Sequence, residues 1–128
     1  AEKEIIPLCR EKGLSFHAYM ALERGLLTGN VKKDYVVQPG DAREGSALWQ
    51  AGNFESVLQF VDGLKDICAD YNCTCTHLAI AFLLAQGGDI NVISGARRVF
   101  QIEARAAEVS LKAADLQEIE KRLKTLNL

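Results

Sequence analysis

Apolar residues recur at helical spacing along most of the chain and at strand spacing in only two places. Over residues 55–71, Val57, Val61, Leu64, Cys68 and Tyr71 repeat at four, three, four and three, which predicts one amphipathic helix. Residues 2–12 place Ile5, Ile6, Leu8 and Cys9 on one face and stop at Gly13. Pro7 fits that helix only in its first turn or at a kink. From Thr74 or Thr76, either of which can cap, to about Gln86, the chain is apolar nearly all round. That predicts a helix buried on most sides. Further helices are predicted from about Arg98 to Ala107 and from about Ala113 to Leu126. The last carries Leu116, Ile119, Leu123 and Leu126 at helical spacing, with an acidic start and a basic end that match the helix dipole.

Leu14 to Met20 and Ile90 to Ile93 read as strands bounded by turn residues. The first leads into Leu22-Glu23-Arg24-Gly25-Leu26-Leu27-Thr28-Gly29, whose two glycines predict a backbone-rich loop. From there to about Asn53 there is little periodicity, and Pro39-Gly40-Asp41 marks a turn. A loop of this length in a compact domain is usually functional or mobile. Trp49 and Phe54 are expected to anchor it. The order is helix, strand, long loop, two helices, strand, two helices. It predicts parallel strands joined by a right-handed crossover. Two parallel strands leave faces and edges that must be covered, so the pattern describes part of an α/β architecture.

Composition narrows the possibilities. The 128 residues suit one domain, and a 48% hydrophobic content is that of a globular chain. A net charge of −2 offers no field for nucleic acid or an anionic membrane, so neither is an expected partner. No apolar run approaches bilayer length, and Ala-Glu-Lys-Glu is not the start of a signal peptide. The sequence does not begin with Met, so a processed or partial polypeptide is expected. Cys9, Cys68, Cys73 and Cys75 without a secretory segment suit reduced thiols and a cytoplasmic location. Cys68, Cys73, Cys75 and His77 could be read as a metal cluster, but their spacing fits no usual zinc pattern. Soft packing residues are the favoured reading. His17 falls inside a strand and is read first as a core or neighbouring-layer residue, and His77 as a cap or surface residue.

The most informative stretch runs from Leu84 to Arg98. It ends one helix, turns on Gly87 and Gly88, forms the second strand and opens into Gly95-Ala96-Arg97-Arg98 before the next helix. The first amides of a helix lack partners and its dipole favours negative charge there, so such a turn can hold an anion. Arg97 and Arg98 add donors shaped for phosphate. The competing reading is a basic helix start that meets only water.

Several stretches together resemble the C-terminal part of the aldo-keto reductases, in the branch that includes the potassium-channel β-subunits. They are Ile5 to Gly13, Ala18-Tyr19 with Leu22 to Gly29, Asp41-Ala42-Arg43, Leu78 to Gln86, and Ile93 to Arg98 with Gln101. The resemblance covers nearly the whole chain, residues 1–128. It implies a partial (β/α)8 TIM barrel, helix-rich, whose two parallel strands match the last two barrel strands. It further implies an NADP-binding oxidoreductase portion acting on aldehydes, ketones or sugar alcohols. Position by position, Tyr19 matches the aromatic that stacks on the nicotinamide. Leu22, Arg24 and Gly25 match the pyrophosphate loop. Gly95, Ala96, Arg97 and Arg98 match the turn holding the 2′-phosphate, and Gln101 lies beside the adenine. An Arg-lined 2′-phosphate site favours NADP over NAD. Barrel phosphate sites commonly follow strands seven and eight, which agrees with the anion turn.

The sequence departs from the family pattern at Met20-Ala21, where Ser-Pro is usual, at Ser94, where Pro is usual, and at Ala104-Arg105, where Glu-Asn is usual. Lys112 stands where a Ser or Thr cap is usual. The family's catalytic Asp, Tyr, Lys and His belong to its N-terminal half, and no residue here matches them. Carbonyl reduction needs a tuned proton donor beside the hydride carbon. The expectation is therefore no catalytic residue and no activity from this chain alone. Its expected partner is the missing N-terminal half-barrel, with a small carbonyl substrate once completed. The alternative is a non-catalytic half-barrel that associates with itself through its open strand edges.

Overall fold

The computed structural model describes residues 1–106 and 108–126, without the side chains of residues 103–106. Ala107, the expected end of the fifth helix, and the side chains of Ala104 and Arg105 therefore lie outside the described residues. Helix α1 (Ile5–Glu11) is followed by strand β1 (Phe16–Tyr19) and a kinked turn at Glu23–Thr28. After a long loop come α2 (Asn53–Gly63), α3 (Lys65–Asp70), α4 (Cys75–Leu84), β2 (Ile90–Ile93), α5 (Val99–Ala106) and α6 (Ala113–Lys124).

The two strands pair in parallel, with Phe16 opposite Ile90 and Tyr19 opposite Ile93. Strand β2 occupies the expected residues, whereas β1 is shorter at both ends than Leu14 to Met20. Phe16, Ala18, Ile90 and Val92 face the protein and are buried or half-buried. His17, Tyr19, Asn91 and Ile93 face outward and are exposed. An alternation of two along each strand puts these four on one open face.

The helix expected over 55–71 is two helices, broken at Leu64. The amide of Ile67, which would continue the ladder onto the Gly63 carbonyl, donates instead to the Asp66 carboxylate at 2.7 Å. The Gly63 carbonyl accepts from Arg122 of α6. The apolar phase nevertheless carries across the break. Val57, Val61, Leu64, Ile67 and Cys68 share one core with Leu26, Trp49, Phe54, Cys75, Leu78 and Ile119.

Thr74 caps α4. Its hydroxyl accepts the His77 amide at 3.4 Å, and His77 Nδ1 accepts the Thr74 amide at 3.1 Å. His77 is thus a capping residue. Helix α4 packs against β2 and the turn at Glu23–Thr28, as its all-round apolar pattern requires. Pro7 sits in the first turn of α1, where its missing donor costs nothing. The apolar face of α1 is only partly covered: Ile6 is buried, while Ile5 and Leu8 are exposed. Arg10 ties α1 to the approach to β2 through Asp89 at 3.0 Å and the Gln86 carbonyl at 2.6 Å. Lys112 makes no side-chain cap for α6. Its amide donates to the Tyr71 hydroxyl at 2.8 Å instead. Among the described residues, no single helix is long and apolar enough to cross a membrane.

Candidate functional site

Parallel pairing sends both strands out of the same edge of the sheet. Because Tyr19 aligns with Ile93, the loop after β1 and the turn after β2 start side by side. Tyr19, Leu22, Arg24 and Gly25 belong to the first, and Gly95, Ala96, Arg97, Arg98 and Gln101 to the second. In open α/β architectures and barrels this carboxyl edge is where ligands gather.

The loop after β1 is locally strained. Met20, Glu23 and Arg24 have φ of 56°, 43° and 52°, and Gly25 follows at 99°. Left-handed backbone costs a non-glycine residue roughly 1–2 kcal/mol, so the surroundings must hold it there. Leu26, with no exposed surface, plugs the loop into the core. Trp49 Nε1 donates to the Glu23 carbonyl at 3.3 Å, and the Ser46 hydroxyl donates to the Glu23 carboxylate at 2.9 Å. Arg43 Nε donates to the Arg24 carbonyl at 3.2 Å. The Arg43 guanidinium lies 5.0 Å from the Trp49 ring centre and 5.4 Å from that of Tyr35, and pairs with Asp41 at 3.2 Å. Trp49 stacks on Phe54 at 5.6 Å, so both aromatics anchor the long loop as expected.

Within the loop, the amides of Glu23 and Gly25 donate to the Met20 and Leu22 carbonyls at 2.7 and 2.9 Å. The Gly25 amide is therefore engaged, and those of Ala21 and Leu22 have no partner among the described residues. The Arg24 side chain pairs with Glu23 at 3.3 Å, so its charge is already answered. Tyr19 leaves 74% of its surface exposed at the end of β1.

In the second turn, Gln101 does the capping that Ser or Thr would do elsewhere. Its side-chain oxygen accepts from the amides of Arg97 at 2.8 Å and Arg98 at 3.2 Å. Those amides are the ones the sequence offered to an anion. Both guanidinium groups remain exposed, and among the described residues neither has a carboxylate partner. At Arg97 and Arg98 the turn thus presents side-chain rather than backbone donors.

Sequence reasoning missed Arg43 as the latch on the Arg24 carbonyl. The available signal was Asp41-Ala42-Arg43, an ion pair at short spacing near two aromatics. A separate cavity of about 300 Å³ lies behind the loop, among Leu27, Val61, Leu78, Phe82 and Ile119, with Glu23 on its wall. No group of three His, Cys, Asp or Glu side chains suited to a metal occurs among the described residues.

A model of the aldo/keto reductase family matches residues 1–124. The chain is 37% identical over 114 residues to an NADH-specific methylglyoxal reductase of Escherichia coli, covering 89% of this chain and 34% of that protein. It is 35% identical over 111 residues to the aldo-keto reductase yakc of Schizosaccharomyces pombe, whose name specifies NADP(+), covering 87% and 33%. Among solved structures, a glycerol dehydrogenase from Gluconobacter oxydans superposes with a TM-score of 0.89 at 26% identity, covering 98% of this chain and 39% of that one. The chain spans about a third of the length of the curated relatives it matches.

Proposed function

Because the chain belongs to the aldo/keto reductase family, we propose that it is the dinucleotide-binding C-terminal portion of an oxidoreductase acting on aldehydes, ketones or sugar alcohols. In this reading β1 and β2 are the last two strands of a (β/α)8 barrel. The observation that carries it is the parallel register of Tyr19 with Ile93, which starts both ligand loops from one edge.

The residues at that edge suit a nicotinamide dinucleotide. Tyr19 offers an exposed aromatic face for the nicotinamide. The amides of Ala21 and Leu22, without a partner among the described residues and in a loop held by Arg43 and Trp49, suit the pyrophosphate. Arg97 and Arg98 supply charge for a 2′-phosphate. Because Gln101 occupies their amides, the guanidinium groups carry that contact. This favours NADP, although the relatives' names divide between NADH and NADP(+). When bound, the dinucleotide supplies the hydride for carbonyl reduction.

The chain's own part is to hold and orient. His77 is committed to the α4 cap. His17 lies on the open face opposite Asn91, with no lysine or carboxylate bonded to it among the described residues. The proton donor is therefore assigned to the remainder of the barrel. That remainder also covers the open sheet face, where Tyr19 and Ile93 leave 74% and 54% of their surface exposed.

A second reading follows from the same open face: a second copy of this chain covers it, and the protein is a non-catalytic self-associating half-barrel. Methylglyoxal-dependent NADPH oxidation separates the two. The 128-residue chain is expected to give none alone, and turnover when co-expressed with the N-terminal two thirds of the Escherichia coli relative. Turnover by the chain alone, abolished by Tyr19→Phe, would overturn the assignment. A stable dimer that captures no N-terminal partner supports the second reading.

A further inference from the structure

We propose that Cys68 and Cys75 form a redox modification site, a buried dithiol that a small peroxide converts to a reversible disulfide. The two sulfurs are 3.7 Å apart, in van der Waals contact in the core. A disulfide needs about 2.05 Å, so closure must draw the two sulfurs together from 3.7 Å. The connection is short. Cys68 lies in α3, Cys75 opens α4, and the turn between them is tied by the Cys73 amide on the Cys68 carbonyl at 2.9 Å.

Access and roles come from different observations. Cys75 lines the cavity of about 300 Å³, which has room for a molecule the size of water or peroxide. Cys68 does not line it. Cys75 is also the first residue of the ten-residue helix α4, at the end of the turn that brings it back to Cys68. Burial, reinforced by Cys75, pushes the Cys68 thiol up to about 12, so Cys68 is not the sulfur that meets peroxide first.

In the first step, the Cys75 sulfur attacks one oxygen of hydrogen peroxide and the O–O bond breaks. Cys75 becomes a sulfenic acid, and the departing hydroxide takes the thiol proton as water. In the second, the Cys68 sulfur attacks the Cys75 sulfur and the S–O bond breaks. The hydroxyl leaves with the Cys68 proton as a second water. Two thiols lose two electrons, and one peroxide becomes two waters.

The test is peroxide treatment of the 128-residue chain, alkylation of remaining thiols, and mass spectrometry of the intact protein and its peptides. The expected product has lost two hydrogens, is alkylated only at Cys9 and Cys73, yields a peptide pair joined through Cys68 and Cys75, and is restored by dithiothreitol. Cys75→Ser is expected to abolish the two-hydrogen loss. The wild-type peptide map decides the matter even if that variant does not fold. A bridge through Cys73 or Cys9, a sulfinic acid at Cys75 beside a free Cys68, or four alkylatable thiols after treatment would each overturn the proposal.

Discussion

The Arg43 side chain reaches the Arg24 carbonyl at 3.2 Å, joining two segments nineteen residues apart. That contact fixes a loop in which Arg24 adopts left-handed backbone, and the Tyr35 and Trp49 rings hold the guanidinium in place. Arg43→Ala is expected to destabilise the chain by about 1–3 kcal/mol, since it removes a hydrogen-bonding group and a ring contact at once. Trp49 fluorescence in the native state should shift to the red. Arg43→Lys should recover little, because an ammonium lacks the planar fork. Unchanged stability and emission in Arg43→Ala would remove the latch from the account.

Leu26 links the same loop to the core and has no exposed surface. Leu26→Ala is expected to cost about 2–5 kcal/mol by urea unfolding, the range for a buried leucine that leaves a cavity. A cost below about 1 kcal/mol would mean the loop repacks freely and is not set by the core.

Arg122 forms a fork on Asp66 at 2.8 and 2.9 Å and reaches Glu118 at 2.9 Å, joining α6 to the start of α3. The Arg122 hydrogen bond holds both carboxyls below their usual values of 3.8 and 4.5. A carboxyl depressed in the folded state stabilises it above the unfolded pKa, and that benefit is lost as pH falls through the folded value. Thermal midpoints should therefore fall on acidification from about pH 5 to below 3.8. In Arg122→Met this component of the decline should be smaller. Parallel pH profiles for the two proteins would contradict the prediction.

Much of this was legible in the sequence for identifiable reasons. Strand β2 was read residue for residue because a short apolar run stands between Gly88 and Gly95. The parallel pairing followed from the strand–helix–strand order, and Thr74 was among the named caps. The break at Leu64 was not legible. The apolar repeat runs through it, and the Gly63 carbonyl at the break is taken by Arg122, fifty-nine residues away. At the candidate site, the pairing of Tyr19 with Ile93 starts the loop after β1 and the Arg97-Arg98 turn from one edge, as the strand order implied. The Gln101 cap was missed, because a glutamine at that spacing does not announce which amides it will accept. Arg43 was missed as a latch because its partners converge only in three dimensions.

The role proposed for the carboxyl edge of β1 and β2 is to receive a nicotinamide dinucleotide with Arg97 and Arg98 on its 2′-phosphate. Fluorescence titration of the 128-residue chain with NADPH and with NADH, repeated on Arg97→Ala/Arg98→Ala, tests it most directly. Micromolar binding of NADPH, weaker binding of NADH, and loss of that difference in the double variant are expected. No binding at millimolar NADPH, or equal affinity for both dinucleotides in the unaltered chain, would contradict it.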